Sequence, residues 1–361
     1  MDVVRIGVLG AGRGRGLAKA MQWAPSAELA AICDASEERL AAAQELVDRT
    51  YTSYEDMLQA DDIDAVVVAS PMPLHAEHTV AALEAGKHVL SEVTAATSIE
   101  QCHQLLEAVR AADAKYMFAE NYCYMRPWSI VLNMVRQGLF GEVYYGESDQ
   151  LQDLKRFFQP PDTGYNWRTA ELAMRHGHHY ITHDLGPLYQ AVGERIETVS
   201  CFGSGQHNLE WAEADDTCVL LCRTTSGKLI RIRLDFFSTR PNNYLYMGLQ
   251  GTKASYEAPR GPKDEHKIHV DGVTPRGEWQ ALSDYEEHLP EAWKRMPDDA
   301  VDDGHDGGAP IMMEDFARCI LDDTRPPIDI IDALNMTAPG LMSEVSIQRG
   351  GAPVDVPEFK M

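Results

Sequence analysis

Short apolar runs alternate with helix-length amphipathic stretches over the first 120 residues. Residues 3–9 (VVRIGVL) form such a run, end in glycines and give way to a helical pattern over 15–24, which predicts a strand, a tight turn and a helix. A second strand over 28–33 ends at Asp34, and Ser36 is placed to cap a helix running through residue 49. The alternation continues with a strand at 65–69 (AVVVA), a helix at 75–85, a strand at 88–90, a helix at 98–112 and a strand at 116–119. Strands that are apolar on both faces and separated by helices predict a doubly wound α/β domain, a parallel sheet covered on each side. Beyond about residue 125 the pattern changes to one helix over 128–137, a stretch rich in Pro, His and Trp, and strands of alternating character. In 228–237, Ile230, Ile232, Leu234 and Phe236 share one face while Arg231, Arg233 and Asp235 take the other, the mark of an antiparallel strand with one face in the core. Residues 258–310 read as long connections, followed by helices over 312–321 and 331–346.

The length of 361 residues, 44% hydrophobic and 24% charged, fits two globular domains. Lys and Arg number 32 against 56 Asp and Glu, a formal net charge of −24 that repels phosphate backbones and anionic lipid headgroups. Nucleic acid and membrane surfaces are therefore not expected as partners. No apolar run approaches the roughly 20 residues that span a bilayer, and the opening MDVVRIGVLGAG lacks the pattern of a secretion signal, so a cytoplasmic location is expected. Seven cysteines without CxxC spacing read as reduced, buried thiols.

The segment Gly10-Ala11-Gly12-Arg13-Gly14-Arg15-Gly16 sits between the first strand and the first helix, where glycines let a pyrophosphate approach backbone N–H groups. The third glycine of GxGxxG would fall at Arg15, which Gly14 and Gly16 flank. Asp34, about 20 residues further on at the end of the second strand, is placed to accept from an adenosine ribose and to repel a 2′-phosphate, which favours NAD; the same carboxylate could instead cap the next helix.

Taken together, IGVLGAGRGRG, SPMPLH at 70–75, AGKHVLSEV at 85–93 and PVDVPEF resemble the Gfo/Idh/MocA superfamily of NAD(P)-dependent sugar-active enzymes. EVTAAT at 92–97, ENYCYMR at 120–126, VLNMVRQGLFGE at 131–142, NWR at 166–168, HYITHDLGP at 179–187 and GHDGG at 304–308 are similar to its NAD-dependent glycoside hydrolases of the α-N-acetylgalactosaminidase type. The resemblance implies a Rossmann domain over 1–122 and an α+β domain over 123–361 built on an open, mostly antiparallel sheet. The outer face of such a sheet commonly forms the subunit contact, which implies a homodimer or homotetramer. It further implies NAD as cofactor, held by Gly10, Gly12, Arg13, Gly14, Asp34, Ser70, Pro71, His75, Glu92, Asn121, Trp167 and Arg168, and a catalytic set of His183, Tyr180 and Glu120.

Two positions depart from that pattern. Dehydrogenases of the superfamily carry Glu-Lys-Pro where this chain has Glu92-Val93-Thr94, and valine cannot move a proton. The glycosidase-like branch has a tyrosine at Gln150, and glutamine cannot be a general base.

Tyr180 and His183 stand three apart, so on a helix they share a face, and a neutral imidazole can take a hydroxyl proton as hydride leaves the same carbon. His179 and His183 also have helical metal-ligand spacing, but no carboxylate spacing supports it and no metal is assigned. Glu120 ends the last strand of the nucleotide domain, at the edge where α/β sheets bind ligands. Trp167 and Arg168 suit a sugar platform and clamp. Lys155, Arg156, Arg168 and Arg175 gather in neighbouring loops, and with His305 of GHDGG they are the candidates for the substrate, either as a receptor for an anionic sugar substituent or as solvated charge. The expected activity is hydride transfer between a sugar carbon, C3, and NAD within redox-neutral glycoside hydrolysis by oxidation, elimination, addition and reduction. The alternative is a sugar or inositol-like dehydrogenase with net NADH production.

Overall fold

Parallel pairing organises the amino-terminal residues in the computed structural model, which describes residues 2–164, 166–297, 300 and 307–361. Strands β1 (Val4–Leu9), β2 (Ala27–Cys33), β3 (Thr50–Tyr51), β4 (Ala65–Val68), β5 (His88–Ser91) and β6 (Tyr116–Phe118) form one sheet in the order β3-β2-β1-β4-β5-β6. Every pair in it is parallel. Helices α1 (Gly14–Ala20), α2 (Glu37–Ala43), α3 (Tyr54–Leu58), α4 (His75–Glu84) and α5 (Ile99–Ala111) make the connections. The strand order reverses between β1 and β4, so the carboxyl ends of these two strands are the switch point at which such sheets bind ligands. Helix α2 stops at Ala43 instead of running to residue 49, because the backbone there is claimed by the sheet: Ile32 N donates to Arg49 O, and Ile32 and Cys33 pair with Thr50 and Tyr51.

The rest of the chain supplies α6 (Arg126–Arg136), β7 (Val143–Leu151), α7 (Thr182–Val192), β8 (Ile196–Gly203), β9 (Thr217–Thr224), β10 (Leu229–Asp235), β11 (Asn243–Gly251), β12 (Ala254–Glu257), β13 (Lys267–Val270), β14 (Gln280–Ala281), α8 (Glu291–Lys294), α9 (Gly308–Leu321), α10 (Ile330–Gln348) and β15 (Val354–Asp355). The nine strands form one sheet in the order β14-β13-β12-β11-β7-β10-β9-β8-β15. It is antiparallel except where β10 runs parallel to β7, so the expected antiparallel strand around Ile232 is antiparallel only towards β9. Residues 258–310, expected as connections, hold β13, which pairs with β12 and buries Ile268 and Val270. The alternation that makes KIHV a strand is only four residues long, too short to stand out among the surrounding Pro, Gly and Asp.

Packing divides the chain into two compact units. One comprises residues 1–125, 295–334 and 359–361, and the other 126–294 and 335–358. The expected division near residue 122 runs along the sequence, whereas in space α9 returns to the first unit, where Ser26 donates from its N and Oγ to Glu314 at 2.8 and 2.7 Å. In the second unit the inward faces of β9 and β10 (Leu220, Ile230, Ile232, Leu234) are buried on the same side as α7. The opposite face carries Arg231 against Glu147 and Asp149, and Arg233 against Asp149, as cross-strand ion pairs.

Gly10, where β1 turns into α1, has φ of 100° and leaves only 2.3 Å between an added Cβ and Ala69 O. Gly10→Ala is expected to cost about 2 kcal/mol or more, from left-handed strain plus overpacking. A drop in the denaturant midpoint and weaker NAD binding by the same variant check it.

Candidate functional site

In the first unit, the turn after β1 and the loops after β2, β4, β5 and β6 meet at the carboxyl edge of the sheet. Asp34, almost buried, accepts from Ala11 N at 2.8 Å and from Ser36 N at 2.9 Å, which ties the glycine-rich turn to the end of β2, and Arg39 stands 3.7 Å away. The side chain thus braces the turn. Gly14 allows close strand–helix packing, since a Cβ there would lie 2.5 Å from Val8 Cγ1. Gly12 is open, with nothing but Arg39 within 4 Å of an added Cβ.

Arg13, expected among the residues that hold NAD, pairs with buried Glu92 at 2.7 Å, and Glu92 also accepts from Val93 N at 3.2 Å. Pro71 is exposed, Ser70 Oγ meets His78 Nδ1 at 2.8 Å, and His75 lies with Nδ1 2.8 Å from Thr94 O and Nε2 2.8 Å from Ser70 O. Burial holds the His75 ring below its usual range, so the neutral ring donates to one of the two carbonyls and acts as a strut between two loops. Glu120 is fully buried and caps the following turn by accepting from Tyr122 N at 3.1 Å. Next to it Asn121 is 1% exposed, and neither atom of its amide meets a hydrogen-bond partner among the described residues. Spare carboxylate lone pairs at Asp34, the open side of Gly12 and an unengaged buried amide at Asn121 fit a dinucleotide.

In the second unit, α7 and the turn that leads into it carry the second set. Tyr180 and His183 meet edge to face with ring centroids 5.0 Å apart. Behind them lies a group that spacing alone did not single out. Asp184, 2% exposed, accepts from Ser148 Oγ of β7 at 2.5 Å and from His178 Nε2 at 2.8 Å, and His178 N donates to Ser343 Oγ of α10. Burial pushes the His178 ring below its usual range against the pull of Asp184, so the neutral ring donates from Nε2. The available signal was parity: Gly146, Ser148 and Gln150 occupy the inward positions of β7, and a polar residue at an inward position asks for a partner.

The expected basic cluster is largely committed elsewhere. Arg175 pairs with Glu171 and Glu344, each at 2.8 Å, and Lys155 with Asp153 at 3.0 Å and Phe237 O at 2.9 Å. Arg156 lies over the Phe157 ring and Arg168 over Trp167, at 4.7 and 4.4 Å, and neither has an ion-pair partner among the described residues. Trp167 and Arg168 belong to the second unit and stack on each other. His305 and the acidic loop around it fall outside the described residues.

A parallel sheet with a glycine-rich turn, an aspartate ending β2 and open polar groups at its carboxyl edge is an NAD-binding Rossmann domain. Together with the mostly antiparallel sheet of the second unit it defines an enzyme of the glycosidase or oxidoreductase kind. The chain belongs to glycosyl hydrolase family 109: residues 124–361 match the family's C-terminal domain and residues 4–120 the Gfo/Idh/MocA oxidoreductase family, NAD-binding Rossmann fold. A glycosyl hydrolase family 109 protein of Solibacter usitatus (strain Ellin6076) is 31% identical over 99% of this chain and 88% of its own length. An α-N-acetylgalactosaminidase of Shewanella oneidensis is 28% identical over 99% of this chain and 85% of its own length. Levoglucosan dehydrogenase in complex with NADH and L-sorbose has the same fold, with a TM-score of 0.84 at 22% identity over 99% of this chain and all of that one.

Burial works against the charge of Glu344, but hydrogen bonds from His179 and Arg175 outweigh it and hold the carboxyl at about 2. Its folded value is depressed, so its contribution to stability is present above the ordinary carboxylate range and is lost as pH falls towards 2. Glu344→Gln is expected to be less stable than the parent at neutral pH, with the gap closing as pH falls through that window, in paired denaturant titrations.

Proposed function

We propose that the protein is a sugar-active enzyme that uses NAD for hydride transfer at a sugar carbon, C3, within redox-neutral hydrolysis of a glycoside. The edge-to-face pair of Tyr180 and His183, held by the Asp184 network, carries this reading, because it supplies two proton-handling groups side by side. The Rossmann unit would hold NAD through its glycine-rich turn, Asp34 and Asn121. Bound NAD⁺ supplies a two-electron acceptor. His183 takes the C3 hydroxyl proton as that carbon becomes a ketone. The ketone acidifies the neighbouring C2–H, and Tyr180, as its phenolate, is the group for that proton, with Glu120 second. The C1 substituent leaves, water adds its hydroxyl at C1 and gives its other proton to the leaving group, Tyr180 returns its proton to C2, and reduction at C3 with return of the His183 proton completes the cycle. Val93 takes no part.

A second reading, a sugar or inositol-like dehydrogenase with net NADH production, is favoured by Gln150, which cannot be a base. Arg156 and Arg168, without ion-pair partners among the described residues, support an anionic substituent on the sugar. The outward face with Arg231, Arg233, Glu147 and Asp149 is proposed as the contact of a cytoplasmic homodimer or homotetramer.

A panel of aryl α- and β-glycosides with a catalytic amount of NAD⁺ tests the function. Aglycone release with no net NADH is expected, and stoichiometric NADH without release overturns hydrolysis in favour of the dehydrogenase. His183→Ala is expected to lower kcat by about 10² to 10⁴ with unchanged NAD affinity, which steady-state rates and a cofactor titration check.

A further inference from the structure

The inward row of β7 runs Gly146, Ser148, Gln150, and α7 runs back along it in the opposite sense. An added Cβ at Gly146 would meet the Leu188 side chain, and Ser148 donates to Asp184. Two residues of strand rise about 7 Å, so the next inward position, Gln150, lies beyond the first turn of α7, level with the turn that leads into the helix. That turn carries Tyr180. The neighbouring strand agrees: Gln150 pairs with Leu234 of β10, and Phe236, the next inward residue on that side, has its ring 6.3 Å from Tyr180.

Gln150 therefore lies at the level of the turn that carries Tyr180, next to the start of α7. It is 2% exposed, and its Oε1 meets no hydrogen-bond donor among the described residues. Its inward neighbour Ser148 is already engaged by Asp184 and cannot be that donor. A buried amide oxygen without a donor carries a desolvation cost that a well-packed sheet position does not need, since leucine or methionine would fill the same place. A hydroxyl group arriving with a ligand removes that cost.

We propose that Gln150 is a specificity residue of the site: its Oε1 accepts from one hydroxyl of the bound sugar, a different hydroxyl from the one that passes its proton to His183, and leaves that proton in place. The proposal rests on the sugar-active reading. An amide oxygen is a good acceptor but too weak a base to remove a proton, so Gln150 reads a hydroxyl without reacting with it. A site built to bond a hydroxyl rejects the analogue that lacks it, because its own acceptor is then left unpaired.

The test uses methyl α- and β-glycosides of glucose, galactose and N-acetylgalactosamine and their monodeoxy analogues, with NAD⁺, on the parent and on Gln150→Met. The parent is expected to turn over one deoxy analogue, with the oxidised hydroxyl intact, about tenfold less efficiently in kcat/KM than the full sugar. Gln150→Met is expected to lose that one discrimination by a rise in KM for the full sugar, and to keep every other. NAD titration and thermal unfolding of the variant confirm that it is folded. If it is not, Gln150→Asn, which withdraws the amide by one methylene, is read in the same way. A variant that discriminates among all the analogues as the parent does overturns the inference while leaving the proposed function in place. A parent with no NAD-dependent turnover of any of these sugars overturns the proposed function and this inference with it.

Discussion

What the second unit offers to a ligand depends on how closely α7 lies against β7. Any side chain at Gly146 would press on Leu188, so glycine there sets the approach of helix to strand. At that distance Ser148 reaches Asp184, and Asp184 reaches His178 in the preceding loop. A buried carboxyl that accepts two hydrogen bonds fixes the first turn of the helix from both sides, because losing either donor leaves an acceptor with no water to replace it. Tyr180 and His183 stand four and one residues before Asp184, at the end of the chain segment that it fixes. The site is thus specified by packing in the sheet as much as by the residues that would touch a substrate.

Charge follows a similar economy. The chain carries a formal net charge of −24, yet its cations near the candidate sites are mostly matched within their own unit. Arg13 is held by Glu92, Arg175 by Glu171 and Glu344, and Arg231 and Arg233 by the carboxylates of β7. Cations with partners are poor receptors for a further anion, since each new contact competes with an existing one. Arg156 and Arg168 differ, since they lie over aromatic rings and have no ion-pair partner among the described residues. With Arg13 engaged, the proposed NAD site would rely for its phosphates on backbone N–H groups at the start of α1.

The parallel sheet was legible because its strands are apolar on both faces and each is followed by a helix, a period that survives without any knowledge of partners. Residues 44–49 misled for the opposite reason: the pattern there continues a helix, but the backbone of Arg49 is needed by Ile32. Strand β13 was hidden by its brevity. Among the candidate site residues, Tyr180 and His183 were named from family likeness and helical spacing; their rings meet, although Tyr180 lies in the turn before α7 and not on the helix. Arg175 was named for its charge and His75 through the family likeness, but the structure engages one in two ion pairs and the other between two loop carbonyls, and in each case one partner, Glu344 or Thr94, is distant in the sequence. Ser148 and Asp184 went unassigned because a hydrogen bond across 36 positions leaves no local spacing to read.

The count of proton-handling groups bears on which chemistry the arrangement serves. Oxidation of a sugar alcohol needs one group to hold the hydroxyl proton; oxidation followed by elimination needs a second for the carbon acid beside the ketone. Val93 and Gln150 can provide neither, and Glu120 lies fully buried as the cap of the turn after β6. In the proposed reaction the requirement falls on His183 and Tyr180. A dehydrogenase would use His183 and leave Tyr180 with its ring contacts to Phe236 and His183, which a phenylalanine could also make. On the proposed reading, the tyrosine in edge contact with the histidine meets the larger count.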